Sequence, residues 1–176
     1  MIADFWQDLR FGARMLMKSR GFTVAAVFTT NCAQAAPVLV SREHVASGRA
    51  RAVVVNAGCA NAATGAAGLA DARETAAAVA RAIGCRSDEV LVASTGVIGE
   101  PMDGGRIAAV LDKLAGSTKP NAWETAARAI MTTDTYPKLA TAKALIDDTE
   151  VTINGFCKGS GMIAPERAQL QSQAQK

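Results

Sequence analysis

From residue 28 onward, short runs of apolar, often β-branched residues alternate with longer stretches whose apolar residues recur every three or four positions. The first pattern is typical of buried strands, and the second of helices packed on a core. We therefore predict strands at 51–56 and 89–94, helices at 69–83, 105–114 and 123–131, and a hairpin of strands 139–146 and 150–156. Gly84 is expected to end the first helix, and Asp147 with Asp148 to form the hairpin turn. The predicted fold class is α/β (α+β), a mixed sheet packed with helices.

Small and polar residues separate these elements. The segment 56–68 holds three glycines among many small side chains, and we predict a loop there. A second loop is predicted at 116–120. The C-terminal tail from Glu166 is polar and contains four glutamines, so we expect it to be disordered.

Residues 1–27 have a different character. Apolar residues recur at helical spacing on one face, and Arg10, Arg14 and Lys18 recur every fourth residue on another. A basic amphipathic helix of this kind suits a membrane surface, but equally an ordinary surface helix docked on the domain, or a disordered end. The stretch 8–23 resembles the extreme N-terminus of macrolide-exporter-like ABC transporter permeases.

No transmembrane helix is predicted after this segment. Residues 22–40 are only moderately apolar and include Asn31 and Gln34, whereas a spanning helix needs about 20 mostly apolar residues. The chain therefore divides into three predicted parts. They are a foreign, permease-like amphipathic segment at 1–27, a folded domain at 28–165 and a polar disordered tail at 166–176.

Composition narrows the choice of partners. The net charge of +3, its scattered basic residues and an aromatic content of 5% argue against nucleic acid. The four cysteines have no CxxC spacing, so we expect no metal site. Without a clear signal peptide, free thiols in a reducing cytoplasm are predicted. The single histidine, His44, lies in the polar stretch 41–44, which predicts a surface position rather than membership of a Ser/His/Asp triad.

Three polar motifs could carry chemistry. In 94–99 a glycine-bracketed turn after a strand could aim a backbone N–H and a threonine hydroxyl at a developing oxyanion, although a plain turn explains the same pattern. The hydroxyls and carboxylate of 131–135 could bind a polar substrate or cap helices and turns. Lys158 opens the third motif, 158–165, and its ammonium could pair with a substrate carboxylate. This motif lacks the spacing of a phosphate-binding loop.

Six runs of the chain occur together in a distinctive order and spacing. They are FTTN at 28–31, NAGCANAATG at 56–65, GLADAR at 68–73, STGVIGEP at 94–101, AIMTTDT at 129–135 and KGSGMIAP at 158–165. With these runs the chain resembles the ornithine acetyltransferase (glutamate N-acetyltransferase) family of arginine biosynthesis. The resemblance covers about 28–165 and implies that family's fold, of which only the N-terminal, alpha-chain part is expected here.

The resemblance also implies a mechanism. Family members are made as one precursor that cuts itself before a threonine, whose hydroxyl becomes the nucleophile and whose freed amino group acts as base. That threonine takes acetyl from N-acetylornithine and passes it to glutamate. By resemblance, Thr95 and Gly96 correspond to the oxyanion-hole pair, and Thr132 and Lys158 to substrate-binding positions. The resemblance further implies a cytoplasmic enzyme without a cofactor, whose alpha chain pairs with a beta chain in an alpha2beta2 assembly.

The sequence departs from the family pattern after Pro165. Where the family has Asn-Met-Ala-Thr-Met-Leu, this chain has Glu-Arg-Ala-Gln-Leu-Gln, so Gln169 stands at the nucleophile's position. An amide offers neither the nucleophile nor the hydroxyl that self-cleavage needs. We therefore expect a family fragment that is inactive alone. The alternatives are a non-catalytic subunit that completes a site with a separately encoded beta-like chain, and a membrane-surface protein that acts through residues 1–20.

Overall fold

Helices are combined with two pairs of strands in this fold. The structure, a computed structural model, describes residues 32–102, 104–119 and 121–159. Its elements in chain order are α1 (Ala36–Val45), β1 (Ala52–Ala60), α2 (Gly65–Ile83), a 3-10 turn (Ser87–Glu89), β2 (Val90–Ile98), α3 (Gly104–Ser117), α4 (Trp123–Ala129), β3 (Lys138–Ile146) and β4 (Thr149–Cys157). The predicted α/β class is confirmed. The described strands form one parallel and one antiparallel pair.

Strands β1 and β2 form the parallel pair, and α2 connects them. Their register places Ala52 opposite Val90 and Ala60 opposite Ile98. Parallel strands need a crossover of this kind, since a tight turn can join only antiparallel strands. Gly84 ends α2 with a left-handed φ of 68°, as predicted, and its N–H donates to the carbonyl of Ala80.

Strands β3 and β4 form the predicted hairpin. Lys138 lies opposite Cys157 and Ile146 opposite Thr149. The two turn residues, Asp147 and Asp148, have φ angles of 46° and 63°. A tight two-residue turn needs left-handed backbone at both central positions, which aspartate adopts more readily than most residues. Both the hairpin and its turn are therefore confirmed.

Helix α1 covers the edge of β2 that faces away from β1. The Ser41 hydroxyl donates to the carbonyl of Val92 at 2.7 Å and accepts from the Val92 N–H at 2.8 Å. The Nδ1 of His44 donates to the carbonyl of Val90 at 2.7 Å. The expectation of a surface stretch at 41–44 is therefore wrong for Ser41, which is 4% exposed, and His44 is half-buried. Polar residues are found here because they satisfy strand groups that would otherwise be buried without partners.

The core lies between α1, α2 and β2. Its most deeply buried side chains include Val40, Ala76 and Val90, each without exposed surface. Alanines recur along the inner face of α2, and Leu111 of α3 closes the cluster. Small side chains on a helix let its backbone approach the neighbouring elements closely, which suits a domain with few aromatic residues.

Several predicted loop boundaries are wrong. Strand β1 continues to Ala60 and β2 to Ile98, α2 begins at Gly65 rather than at residue 69, and α3 extends to Ser117. The glycines and small residues at 56–60 and 96–98 have weak strand preference and predict a loop. Pairing between the two strands nevertheless keeps both extended, because tertiary pairing overrides a weak local preference.

The terminal predictions concern residues that the structure does not describe. The amphipathic segment 1–27 and the tail 166–176 lie outside the described residues. Within the part that is described, none of the helices combines the length and apolar character needed to cross a membrane. The division into three segments stays a prediction.

Candidate functional site

The ammonium of Lys158 bridges two threonine hydroxyls that come from distant parts of the chain. Its Nζ lies 2.6 Å from Oγ1 of Thr95 and 2.5 Å from Oγ1 of Thr132. Thr95 belongs to β2, Thr132 follows α4, and Lys158 follows β4. Lys158 and Thr95 are both half-buried, whereas Thr132 is exposed. Three of the four residues singled out in the sequence thus meet at one point, which solvent reaches at Thr132.

Gly96, the fourth residue, adjoins Thr95 and is held close to the neighbouring strand. It lies opposite Gly58 and has a φ of 131°. A Cβ added at Gly96 would lie 2.2 Å from the Gly58 carbonyl oxygen and 2.9 Å from the Cys59 nitrogen. Any side chain would therefore push the strands apart just beside Thr95. Glycine is required here for close approach of the two backbones.

The prediction of a turn at 94–99 is wrong for Thr95, which lies in a strand. Residues 94–98 lie within β2, paired in register with 56–60 of β1. Thr95 is consequently presented from a paired strand. A strand holds its side chains more rigidly than a loop does, which favours fixed geometry at a site.

Asp134 links the elements that carry Thr132 and Lys158. Its carboxylate lies 2.6 Å from Nζ of Lys138 and accepts the Gly159 N–H at 2.7 Å and the Thr132 N–H at 3.4 Å. The side chain is only 1% exposed. The Lys138 ammonium, aided by the Gly159 and Thr132 N–H groups, lowers the pKa of Asp134 to about 2 although burial opposes this shift. Asp134 is therefore ionised at any physiological pH.

A second polar network fixes the end of β1. The Ser94 hydroxyl donates to the Cys59 carbonyl at 3.0 Å and accepts the Asn61 N–H at 2.9 Å. The Asn61 amide donates to the Gly68 carbonyl at 2.8 Å, and the Thr64 hydroxyl donates to the Asn61 carbonyl oxygen. Asn61 is 2% exposed, so this is a buried connection between β1, β2 and the start of α2.

The polar motifs of the sequence do not reveal this network. Gly68 carries the signal that could have found it, because a Cβ there would overlap Oγ1 of Thr64 and Oδ1 of Asn61. A glycine inside an alanine-rich helix indicates a close approach of this kind. The network supports the strand end next to Thr95.

Other candidates lie elsewhere. His44 is hydrogen-bonded to the β2 edge and is not part of the Lys158 cluster. Within 32–159, apart from residues 103 and 120, no three His, Cys, Asp or Glu side chains are placed to hold a metal ion. Gln169 and the motif residues from 160 to 165 lie outside the described residues.

Curated relatives match most of this chain. The arginine biosynthesis bifunctional protein ArgJ of Rhizobium meliloti is 53% identical over 158 residues, which cover 90% of this chain and 38% of that protein. The corresponding protein of Mesorhizobium japonicum is 51% identical and covers 86% of this chain and 37% of its own length. This chain therefore spans less than half the length of the curated relatives it matches.

Solved structures agree with these matches. The ArgJ protein of Bacillus halodurans superposes with a TM-score of 0.72 at 39% identity, covering 82% of this chain and 76% of that chain. Ornithine acetyltransferase of Mycobacterium tuberculosis, solved in complex with ornithine, gives 0.73 at 37% identity, covering 85% of this chain and 79% of its own. At this identity the likeness extends beyond the general fold class.

The sequence profile of the ArgJ family matches residues 5–172. This span contains the Lys158 cluster and begins within the segment 1–27, whose resemblance to a permease gains no support from any of these matches. The family predicted from the six sequence runs is thereby confirmed. Taken with the solved relatives, the match establishes that this chain belongs to the ArgJ family.

Proposed function

We propose that this chain supplies the oxyanion-stabilising and carboxylate-binding half of a glutamate N-acetyltransferase site. The observation that carries the proposal is the Lys158 ammonium held between the hydroxyls of Thr95 and Thr132. The substrates proposed are N-acetylornithine as acetyl donor and glutamate as acceptor, in line with the family and with the ornithine-bound relative. We assign Thr95 and Gly96 to the oxyanion, and Thr132 and Lys158 to the substrate.

The direction of the hydrogen bonds supports these roles. An ammonium only donates, so Oγ1 of Thr95 accepts from Lys158 and its own proton is turned elsewhere. A hydroxyl polarised by a cation is a stronger donor, and it can donate to the oxygen that becomes negative during acyl transfer. Because β2 fixes Thr95 before substrate arrives, little reorganisation is needed when that charge develops.

The charge of Lys158 suits a carboxylate ligand. Among the described residues, this ammonium donates two hydrogen bonds, and both acceptors are neutral hydroxyls. A lysine ammonium has three protons, so one donor and the whole positive charge are left for a ligand. Both proposed substrates are amino acids or their derivatives and carry a carboxylate that such a cation would bind.

The proposed role is partial. By the resemblance, Gln169 stands at the position where the family has its nucleophilic threonine. We therefore propose that the chain alone transfers no acetyl group, and that the nucleophile and the remaining substrate contacts are supplied by a beta-like chain. The four cysteines, all of them free thiols, support a cytoplasmic location.

A reconstitution experiment tests this proposal. The chain is co-expressed with the segment of the Rhizobium relative that starts at the family's nucleophilic threonine, and the pair is purified together. The formation of N-acetylglutamate from N-acetylornithine and glutamate is then measured for the pair and for each protein alone. We expect no product from either protein alone and product from the pair. Product from this chain alone would overturn the claim that it lacks the nucleophile. A co-purified but inactive pair would overturn the claim that its half of the site is competent.

A matched variant sharpens the test. Lys158→Met removes the ammonium that is proposed to bind the substrate carboxylate, whereas Lys113→Met removes an exposed lysine on α3. Only the first substitution should abolish product formation in the pair. Equal losses in both variants would show that the effect comes from total charge rather than from the Lys158 cluster.

A further inference from the structure

Asp134 joins two segments of the site through backbone hydrogen bonds. Its carboxylate accepts from the N–H of Gly159, the residue next to Lys158, and from the N–H of Thr132 itself. Because the side chain is 1% exposed, water competes little for these bonds. The backbone on both sides of the contact between Lys158 and Thr132 is therefore tied to one group.

The charge of Asp134 is neutralised by a different lysine. Nζ of Lys138 lies 2.6 Å from Oδ1 of Asp134 and 5.0 Å from the centre of the Tyr136 ring. Lys138 begins β3, and its side chain is 24% exposed. Asp134 and Tyr136 hold its ammonium from two sides. A cation over an aromatic face gains further stabilisation there. Lys158, by contrast, contacts neutral hydroxyls although it adjoins a residue bonded to the same carboxylate.

We propose that Asp134 is a positioning residue that sets Lys158 and Thr132 against Thr95, while Lys138 keeps its carboxylate from capturing the Lys158 ammonium. Two lysines thus have separate tasks: Lys138 neutralises the buried carboxylate, and Lys158 keeps its charge for a ligand. This inference deepens the proposed function and rests on it only for the identity of that ligand as a carboxylate. The arrangement of the two lysines does not depend on that identity.

The inference can be tested by the chemical reactivity of Lys158 in the full chain without any substrate. Trace acetylation with acetic anhydride, read by mass spectrometry, gives the labelling rate of Lys158 relative to the exposed Lys113 on α3. In Asp134→Asn the Gly159 and Lys158 backbone is loosened and a nearby negative charge is lost. We expect Lys158 to label roughly threefold faster, the size of effect typical of one partly exposed charge interaction.

The variant Lys138→Met should act in the opposite direction. Asp134 then lacks its charged partner, and Lys158 is the lysine that adjoins Gly159, whose N–H the carboxylate accepts. A carboxylate paired with an ammonium favours its protonated form, so Lys158 should label roughly threefold more slowly. Lys138→Arg, which keeps the cation, should label like the native chain. The double variant Asp134→Asn/Lys138→Met should resemble Asp134→Asn alone.

The opposite signs separate positioning from simple loss of structure. If Asp134→Asn and Lys138→Met both accelerate Lys158 labelling, or if neither changes it, the inference is wrong. Circular dichroism identifies a variant that fails to fold. If Asp134→Asn is such a variant, slower labelling in Lys138→Met with native labelling in Lys138→Arg still supports the inference, and faster or unchanged labelling in Lys138→Met overturns it. Labelling needs neither substrate nor a second protein, so its outcome is independent of the reconstituted acetyl transfer that tests the proposed function.

Discussion

Lys158 lies 2.6 Å from the hydroxyl of Thr95, although 63 positions separate the two residues in the sequence. The contact joins the residue that directly follows the hairpin strand β4 to the parallel strand β2, and the two strands belong to different sheets. Geometry at this point therefore depends on how both sheets are held. Several residues that never touch a ligand should therefore affect the site.

Thr95→Val should lower the rate of acetyl transfer in the reconstituted pair while leaving its assembly intact. Valine keeps the branched shape that suits a strand but removes the hydroxyl that Lys158 polarises. Loss of one oxyanion donor costs about 10²–10³ in kcat. Steady-state kinetics at saturating glutamate measure this, and Thr95→Ser, which keeps the hydroxyl, should retain most activity. A native kcat in Thr95→Val would show that the Thr95 hydroxyl does not stabilise the oxyanion.

Gly96→Ala should destabilise the chain by about 2–4 kcal/mol, because it combines a clash with backbone strain. The new Cβ would lie 2.2 Å from the Gly58 carbonyl oxygen, at a φ of 131°. Urea unfolding measures the change in the free energy of unfolding. Gly155→Ala is the matched control, since Gly155 also lies in a strand but a Cβ there meets nothing within 4 Å. Equal effects at the two positions would show that β1 and β2 do not need their close approach.

Asp148→Gly should stabilise the hairpin by about 0.5–1 kcal/mol. Asp148 has a left-handed φ of 63°, a conformation that glycine adopts without a steric penalty. Asp112→Gly, in the interior of α3, should destabilise by about 1 kcal/mol, because glycine weakens a helix. Urea unfolding of both variants measures the difference. A loss of stability in Asp148→Gly would mean that the aspartate side chain contributes more than its backbone conformation costs.

Local patterns predicted most elements but not their ends. The hairpin and its Asp147–Asp148 turn, together with the closure of α2 by Gly84, are encoded in neighbouring residues and are confirmed. The extension of β1 and β2 depends instead on pairing between residues such as Gly58 and Gly96. Helix α1 lacks a strong apolar face because Ser41 turns towards a strand edge, so periodicity did not reveal it.

The site was only partly predictable for a similar reason. Thr95, Gly96, Thr132 and Lys158 were identified by resemblance, and their motifs are separated by long stretches of chain. Asp134 was visible only as one polar residue in a motif, because two of its partners are backbone N–H groups of Gly159 and Thr132. Every residue except proline carries the same backbone N–H donor, so sequence cannot show which of these donors a carboxylate will bind.

Ser41→Ala should destabilise the chain by about 1–3 kcal/mol, because it leaves the Val92 N–H and carbonyl without partners at a buried edge. The hydroxyl bonds both groups, at 2.8 and 2.7 Å. Hydrogen exchange should also show faster exchange of the Val92 amide. Ser47→Ala is the control, since its hydroxyl bonds exposed carbonyls of His44 and Arg49 and should cost under about 0.5 kcal/mol. Unchanged exchange at Val92 would mean that α1 does not protect the strand edge.

The contribution of Asp134 to stability should disappear in acid. Its pKa is about 2 in the folded chain, below its ordinary value of 3.8, so the folded state binds the proton less readily than the unfolded state does. A depressed carboxyl pKa adds stability that is fully present above about pH 4 and is lost as the pH falls through about 2. The difference in unfolding free energy between the native chain and Asp134→Asn should therefore be constant above about pH 4 and shrink below it.

Urea unfolding at a series of pH values measures this difference. Other carboxylates titrate in both proteins and cancel on subtraction, provided that they are far from the substitution. Lys138→Met removes the largest cause of the low pKa but keeps the bonds from Gly159 and Thr132. Its stability should consequently depend on pH less than that of the native chain and more than that of Asp134→Asn. The difference in unfolding free energy between the native chain and Asp134→Asn could instead stay the same down to about pH 2. The ionised carboxylate would then stabilise the fold no more than the protonated one does.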